Sequence, residues 1–110
     1  MAITINIYYS GAQGNAEKFA REMISEGIVD EIRAEKGNLQ YDYFLPLNDN
    51  NSLLLIDRWE NQEALDNHHA SPRMQRIITL REKYGLKMKA ERYITEKSDI
   101  PDRDKAFIKE

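Results

Sequence analysis

The two histidines of the chain are the residues best suited to move a proton near neutral pH. His68 and His69 stand side by side in the stretch ALDNHHASPR and are the only imidazoles among 110 residues. An imidazole changes its charge near pH 7, so it can act as a general acid or base. A proton-transfer role stands beside a simpler interpretation, in which the histidine lies at the edge of the core and bonds to a backbone carbonyl.

Helical spacing separates the two histidines. Asn61 is typical of a helix N-cap, and in a helix that begins there Ala64 and Leu65 mark the buried side. At about 100° per residue, His68 averages closer to that side than His69 does. Adjacent helical residues diverge by this angle, and the chain has no His-x-x-x-His pair, so shared metal binding is disfavoured. The sequence therefore predicts that His68 faces inward.

Several other side chains are candidates for a small-molecule site. Asn6 lies among the isoleucines of an extended run, where its amide can orient a ligand carbonyl or face solvent. Trp59 ends an apolar run, which suits either core packing or a pocket wall. Tyr41 and Tyr43 can line a pocket with hydroxyl groups or fill it with their own rings. Ser71 precedes a proline and is most simply a helix cap.

Apolar periodicity predicts the elements that position these residues. The strands are predicted over residues 3–9, 39–45, 53–59 and 86–94, and the helices over residues 15–37, with a bend at Gly27, 61–69 and 71–85. The resulting order, β-α-β-β-α-β, is the ferredoxin-like plan, an α+β fold with helices on one face of an antiparallel sheet.

The second face of the predicted sheet needs a cover. The strand at 53–59 is apolar on both sides, and the strand at 39–45 places tyrosines on one face and Phe44 on the other. An apolar face left in water is typical of an interface. We therefore expect a homodimer whose two sheets close on each other.

Composition narrows the class of protein. Apolar residues make up 41% of the chain, which suits one modest core, so we expect one domain over residues 1–96 and a polar tail or dimer arm over residues 97–110. A net charge of −3 with interleaved signs argues against nucleic-acid binding. The lack of cysteine excludes disulfides and thiolate chemistry. We find no pattern of a signal peptide or membrane span and expect a cytoplasmic protein.

Two segments, EKGNLQYDYFL and DNNSLLLIDRWENQEALDNHHASPRM, resemble the antibiotic biosynthesis monooxygenase domain. The shared pattern is an acidic-x-Gly segment, a strand with tyrosines, an apolar strand that ends in Trp, then Glu-Ala-Leu and a histidine before a Ser or Thr. The resemblance covers about residues 3 to 95 and implies a dimeric α/β barrel. Members of this family include quinol monooxygenases that use molecular oxygen without metal or flavin, isomerases of a phosphorylated sugar signal, and haem-degrading enzymes.

Individual residues carry over on this resemblance. His68 takes the place of the family histidine, and Trp59 takes the place of the tryptophan at the strand end. Arg73 stands where many members have a second histidine, so a mechanism with two histidines is not implied. Asn6 fits the strand asparagine of the haem-degrading branch. However, His68 stands at the position of that branch's helix tryptophan, and the position of its axial histidine falls near Ile78, where this chain has no histidine. Haem degradation is therefore disfavoured.

The resemblance implies a cofactor-independent monooxygenase that oxidises a small phenolic or quinol-type molecule in a barrel cavity. His68 and Asn6 are the expected catalytic residues, with no metal or other cofactor. The expected substrate-binding residues are Trp59, Tyr41, Tyr43 and Arg73. Two alternatives stay open: an isomerase of a small phosphorylated sugar, with Arg73 or Arg58 binding phosphate, and a non-catalytic binding or stress-response module, favoured if tyrosines fill the cavity.

Overall fold

A computed structural model describes residues 1–96 and 100–109, which form a four-stranded antiparallel sheet with helices packed on one face. The strand order is β2-β3-β1-β4. The elements are β1 (Ile3–Ser10), α1 (Asn15–Ser25), α2 (Ile28–Arg33), β2 (Asn38–Phe44), β3 (Ser52–Trp59), α3 (Gln62–His69), α4 (Pro72–Lys83), β4 (Lys87–Ile94) and α5 (Asp102–Lys105). The predicted α+β, ferredoxin-like fold is confirmed, and within the chain the sheet stays open rather than closing into a barrel.

The helix predicted over residues 15–37 is two helices, α1 and α2. Gly27 lies between them with a φ of 77°, in the left-handed region that glycine adopts without steric cost. Phe19 and Met23 of α1 are fully buried, and so is Ile28 at the start of α2. The break at the glycine therefore lets both helices direct apolar side chains at the same face of the sheet.

Gly37 allows the chain after α2 to approach the start of α3 closely. Its φ is 86°, and a Cβ atom on it would lie 2.5 Å from the Cβ atom of Ala64. Its carbonyl accepts a hydrogen bond of 2.8 Å from the backbone N–H of Glu60. Because no larger residue fits at this contact, the glycine supports the approach that brings Glu35 to His68.

The two predicted helix starts differ in how they are capped. Asn61 caps α3 as predicted, since its Oδ1 accepts a hydrogen bond of 2.9 Å from the backbone N–H of Ala64. Pro72 begins α4, also as predicted. Ser71 occupies the N-cap position as predicted, but its hydroxyl makes no capping bond, and its Oγ is buried without a partner among the described residues. Pro72 favours the start of α4 because its fixed φ suits the first position of a helix.

The two faces of the sheet differ in burial. Leu53, Leu55, Asp57 and Trp59 alternate along β3 and are buried beneath the helices, whereas the positions between them are only half-buried. β4 is an edge strand, and its side chains are exposed along its whole length. The helix layer therefore covers one face of the sheet and leaves the other face, and the edge strand β4, open.

The tail predicted over residues 97–110 is described only in part. Residues 97–99 and 110 lie outside the described residues, and α5, between them, is a one-turn helix with exposed side chains. The domain boundary at residue 96 and the dimer-arm role stay predictions.

Within residues 1–96 and 100–109, no helix has the length and apolar character needed to cross a membrane.

Candidate active site

A cavity of about 360 Å³ lies between the inner face of the sheet and helices α3 and α4. Its volume is at the lower end of the range of small-molecule sites. Much of its wall is apolar and is formed by Ile5, Ile7, Leu55, Leu65, Met74, Ile77, Met88 and Ala90. The polar residues of the wall are Tyr9, Tyr41, Asp57, Gln62, His68, His69, Arg81 and Arg92. Such a site suits a small, largely apolar molecule with a few polar groups.

His68 is oriented in this wall by a carboxylate. Only 3% of the residue is exposed, and its Nδ1 lies 3.2 and 3.0 Å from Oε1 and Oε2 of Glu35. Arg73 donates a hydrogen bond of 3.0 Å from Nε to the same Oε2. A carboxylate beside Nδ1 favours the tautomer in which Nδ1–H donates to it. Nε2 is then a hydrogen-bond acceptor, and no described residue bonds to it.

The charge state of His68 follows from its burial. Desolvation lowers the pKa of the imidazole below its usual value of 6.5, and the hydrogen bond to Glu35 opposes this shift without cancelling it. The neutral form is therefore the main one at pH 7. A neutral imidazole with a fixed orientation and an unoccupied nitrogen can accept a proton from a molecule in the cavity.

Trp59 connects His68 to a second ionisable group. Its indole ring is fully buried and stacks on the imidazole of His68, with ring centroids 4.7 Å apart and planes inclined by 30°. On its other side, Nε1–H donates a hydrogen bond of 2.7 Å to Oδ1 of Asp57. The tryptophan thus packs behind the cavity wall. It holds the imidazole of His68 and the carboxyl group of Asp57, the two groups that can exchange protons with a molecule in the cavity.

Asp57 is a buried carboxyl group in the cavity wall, with 4% of its surface exposed. Burial raises its pKa to about 7, the hydrogen bond from Trp59 lowers it, and the charge of Glu35 raises it. Near neutral pH the group therefore exists in both protonation states, which suits an acid or a base.

The tyrosines take two different positions. Tyr41 lines the cavity and is 2% exposed, whereas Tyr43 lies behind it, edge-on to Tyr41 with ring centroids 5.7 Å apart. The hydroxyl of Tyr43 is buried and has no hydrogen-bond partner among the described residues. Burial raises the pKa of both phenols above the usual value of 10, so both stay protonated at neutral pH. Tyr41 can therefore offer a hydroxyl donor to a ligand.

The structure does not bring Asn6 and Arg73 to the cavity wall. Asn6 pairs with Ile56 and alternates with Ile5 and Ile7, so its side chain lies on the opposite face of the sheet from the cavity. Arg73 bonds to Glu35 and acts on His68 through that carboxylate. The sheet therefore separates Asn6 from the cavity, and Arg73 contacts Glu35 instead of the cavity. Neither residue meets a ligand beside His68 as expected.

Asp57 and Glu35 are the functional candidates that the sequence analysis did not single out. A signal for Asp57 was present, because alternation places it on the apolar face of β3 between Leu55 and Trp59. Burying a charged side chain at a core-facing position lowers stability unless the charge is paired and hydrogen-bonded, so such a residue is a candidate for function. For Glu35 the signal was the acidic-x-Gly segment of the family resemblance, which begins at this residue, but its contact with His68 spans 33 residues of sequence and could not be predicted. Across the described part of the chain, no three potential ligands are grouped to hold a metal ion.

The antiparallel sheet and the helix layer define the class as a ferredoxin-like α+β protein, with a cavity of about 360 Å³ between sheet and helices. The chain belongs to the antibiotic biosynthesis monooxygenase family, whose family model matches residues 2–80. This match includes β1 to α3, most of α4 and most of the cavity wall, and it confirms the family resemblance inferred from the sequence.

Known proteins support this assignment. A curated relative from Bacillus subtilis, named "Putative monooxygenase YcnE", is 26% identical over 76 residues, which span 69% of this chain and 78% of that protein. The crystal structure of PA3566 from Pseudomonas aeruginosa is similar with a TM-score of 0.72 and 27% identity, covering 86% of this chain and 94% of the other. SnoaB, a cofactor-independent oxygenase from Streptomyces nogalater, has a TM-score of 0.69 and 13% identity, covering 88% and 95%. At that identity, SnoaB bears on the fold alone.

Proposed function

We propose that this protein is a cofactor-independent monooxygenase that oxidises a small phenol or quinol with molecular oxygen in the cavity beside His68. One observation carries the proposal: a buried, neutral imidazole is held at Nδ1 by Glu35 and lines a mostly apolar cavity of about 360 Å³. A phenolate is itself the electron donor in such a reaction, so the protein must supply a base, a fixed orientation and a site with little water.

The proposed reaction converts a phenol and O2 into a quinone and water. Nε2 of His68 accepts the hydroxyl proton, and the phenolate transfers an electron to O2 before a ring carbon bonds to oxygen. The peroxide anion takes the proton back from His68, which gives a hydroperoxide. Loss of water leaves a carbonyl on that carbon, so the substrate loses four electrons and O2 gains them. One oxygen atom enters the product and the other leaves as water.

The remaining residues of the site position these groups. Trp59 stacks behind His68, and Glu35, held by Arg73, fixes the imidazole tautomer. Tyr41 lines the cavity with a protonated hydroxyl that can bond to a substrate oxygen. Tyr43 supports Tyr41 from behind. Asn6 takes no part in the proposed mechanism because it lies on the other face of the sheet.

The two alternative functions have less support. The isomerase depended on Arg73 or Arg58 to bind phosphate, but Arg73 is engaged by Glu35 and Arg58 lies on the outer face of β3. The non-catalytic module was favoured by a cavity that tyrosines fill, whereas Tyr9 and Tyr41 leave about 360 Å³ unfilled. The open cavity therefore supports a bound small molecule, and the buried base His68 in its wall supports the oxidation.

We also propose a homodimer in the cytoplasm, joined through the outer face of the sheet. Ile56 is half-buried at the centre of this face, and Phe44 and Tyr93 are 46% and 48% exposed. Ile56→Arg should give a monomer in light scattering after gel filtration. Ile24→Arg, at an exposed apolar residue on the helix side, is the matched control and should leave a dimer. A wild type that elutes as a monomer would contradict the proposal.

The oxidation is tested with an oxygen electrode and a panel of phenols and quinols that includes 1-naphthol and hydroquinone, with a metal chelator present. We expect wild-type oxygen uptake, reduced on the order of 10²- to 10⁴-fold in His68→Gln because the general base is lost. Asn67→Gln, an exposed neighbour on α3, is the control and should behave as the wild type. Equal oxygen uptake by His68→Gln and the wild type would remove His68 from the mechanism.

A further inference from the structure

Asp57 is a buried ionisable group of the cavity wall that has no role in the proposed proton transfer by His68. Strand pairing places it in one row with Tyr41 of β2 and Ile5 of β1, on the cavity side of the sheet. Trp59 holds Oδ1 with a hydrogen bond of 2.7 Å. None of the described residues donates a hydrogen bond to Oδ2. The carboxyl group is thus fixed on one side, and its second oxygen is left without a protein partner.

A structural ion pair does not explain this carboxyl group. Within the described ranges, no cationic side chain forms a salt bridge with Asp57: Arg73 pairs with Glu35, and Arg81 pairs with Glu82. Arg92 lies in the same row, beyond Ile5, roughly 10 Å away by the spacing of two strands. An unpaired carboxyl group in an apolar wall disfavours folding, and residues that break a folding rule in this way concentrate at functional sites.

The proposed oxidation needs a second proton transfer after the one that His68 performs. The ring carbon that bonds to oxygen still carries a hydrogen in the hydroperoxide. That proton must leave carbon before a carbonyl can form, and the outer peroxide oxygen must gain a proton to leave as water. A single group that removes one proton and delivers it to the other atom completes both tasks.

We propose that Asp57 is this second proton carrier, taking the proton from the hydroperoxide-bearing carbon and delivering it to the oxygen that leaves as water. The electrons of the C–H bond become the second bond of the carbonyl, the O–O bond breaks, and Asp57 returns to its starting carboxylate. This assignment rests on the proposed function. It divides the work between two groups joined by Trp59, since His68 acts at the hydroxyl and Asp57 acts at the carbon.

The electrostatic surroundings support this role. Burial raises the pKa of Asp57 to about 7, so the group can take up and release a proton at neutral pH. The charge of Glu35 raises this pKa, and the charge of Asp57 acts in turn on the phenols of Tyr9, Tyr41 and Tyr43. The other ionisable groups of the same cavity wall are His68, His69, Arg81 and Arg92. These phenols stay protonated, because burial raises their pKa values further above the usual range.

Asp57→Asn tests the role, because the amide keeps the shape of the side chain and an oxygen for the Trp59 bond. In a single turnover with 1-naphthol, oxygen uptake and formation of 1,4-naphthoquinone are measured separately. We expect oxygen uptake to continue, a hydroperoxide of two added oxygen atoms to accumulate, and quinone formation to slow by about 10²- to 10⁴-fold. Deuterium at C4 of 1-naphthol should slow decay of the hydroperoxide. Asp57→Glu should restore part of the quinone rate, and Asp30→Asn, an exposed control on α2, should match the wild type.

Three results would overturn the role of Asp57 in different ways. If the wild type oxidises 1-naphthol but Asp57→Asn loses oxygen uptake and quinone formation by the same factor, with no hydroperoxide, Asp57 is structural and the proposed function stands. Quinone formation at the wild-type rate in Asp57→Asn would also remove it. If the wild type consumes no oxygen with any phenol of the panel, the proposed function fails, and the role of Asp57 fails with it.

Discussion

Replacing Asp57 with asparagine should change the pH dependence of folding in a defined direction. The pKa of this carboxyl group is raised from 3.8 to about 7 in the folded protein. The folded state therefore holds a proton that the unfolded state has lost between these two values. Stability from this group is fully present below pH 3.8 and is lost as the pH rises through 7.

The size of the effect follows from the width of that window. Each unit of pKa shift corresponds to about 1.4 kcal/mol, so a shift of about three units makes the free energy of unfolding about 4 kcal/mol lower above pH 8 than below pH 4. Between pH 5 and pH 8 the wild type should lose about 3 kcal/mol from this group. Asparagine does not titrate, so Asp57→Asn should not have this loss.

Urea unfolding at pH 5, 6, 7 and 8 measures the difference between the two proteins. His68 and all other ionisable groups are present in both, so the difference in free energy of unfolding isolates Asp57. We expect the variant to gain about 3 kcal/mol on the wild type from pH 5 to pH 8, a relative midpoint shift of roughly 1 to 3 M urea. A difference that does not change with pH would refute the inference that Asp57 is buried and titrates near neutrality.

Two further substitutions test the surroundings of the site. Glu35→Gln removes the carboxylate that raises the pKa of His68, so this pKa should fall further below 6.5, as measured by NMR titration of the imidazole nitrogens; an unchanged or higher value would contradict the assigned contact. Gly37→Ala places a Cβ atom 2.5 Å from that of Ala64 at a φ of 86° and should destabilise the fold by about 1 to 3 kcal/mol in urea unfolding. Gly14→Ala, also at positive φ but with open space, should cost less, and equal costs would argue against the close contact.

The order and approximate bounds of the main elements could be predicted because period-two and helical patterns are local signals. The four predicted strands match β1 to β4 within one residue at each end, and Asn61 and Pro72 begin helices as expected. The break at Gly27 was predicted as a bend but separates two helices. Local patterns predict which residues are helical. They do not predict how far a glycine in the left-handed region changes the direction of the chain.

The candidate site was less accessible to sequence reasoning because its key contacts join distant elements. Helical geometry placed His68 inward, in agreement with its burial, but its partner Glu35 comes from the loop after α2. Alternation identified the face on which Asp57 lies without revealing the cavity beside it. Asn6 was expected at the site, yet period-two alternation along β1 places it on the face opposite Ile5 and the cavity. The face of a strand on which a residue lies can be predicted from the local sequence, whereas the elements that this face meets in the fold cannot.

The central claim, oxygen insertion assisted by His68 without a cofactor, is tested most directly with ¹⁸O2. The chelator-treated protein is incubated with 1-naphthol under ¹⁸O2, and the quinone is analysed by mass spectrometry. We expect one ¹⁸O atom in the new carbonyl with the wild type and with Asn67→Gln, and strongly reduced labelled product with His68→Gln. A quinone without ¹⁸O, or labelling that depends on added metal or flavin, would contradict the claim.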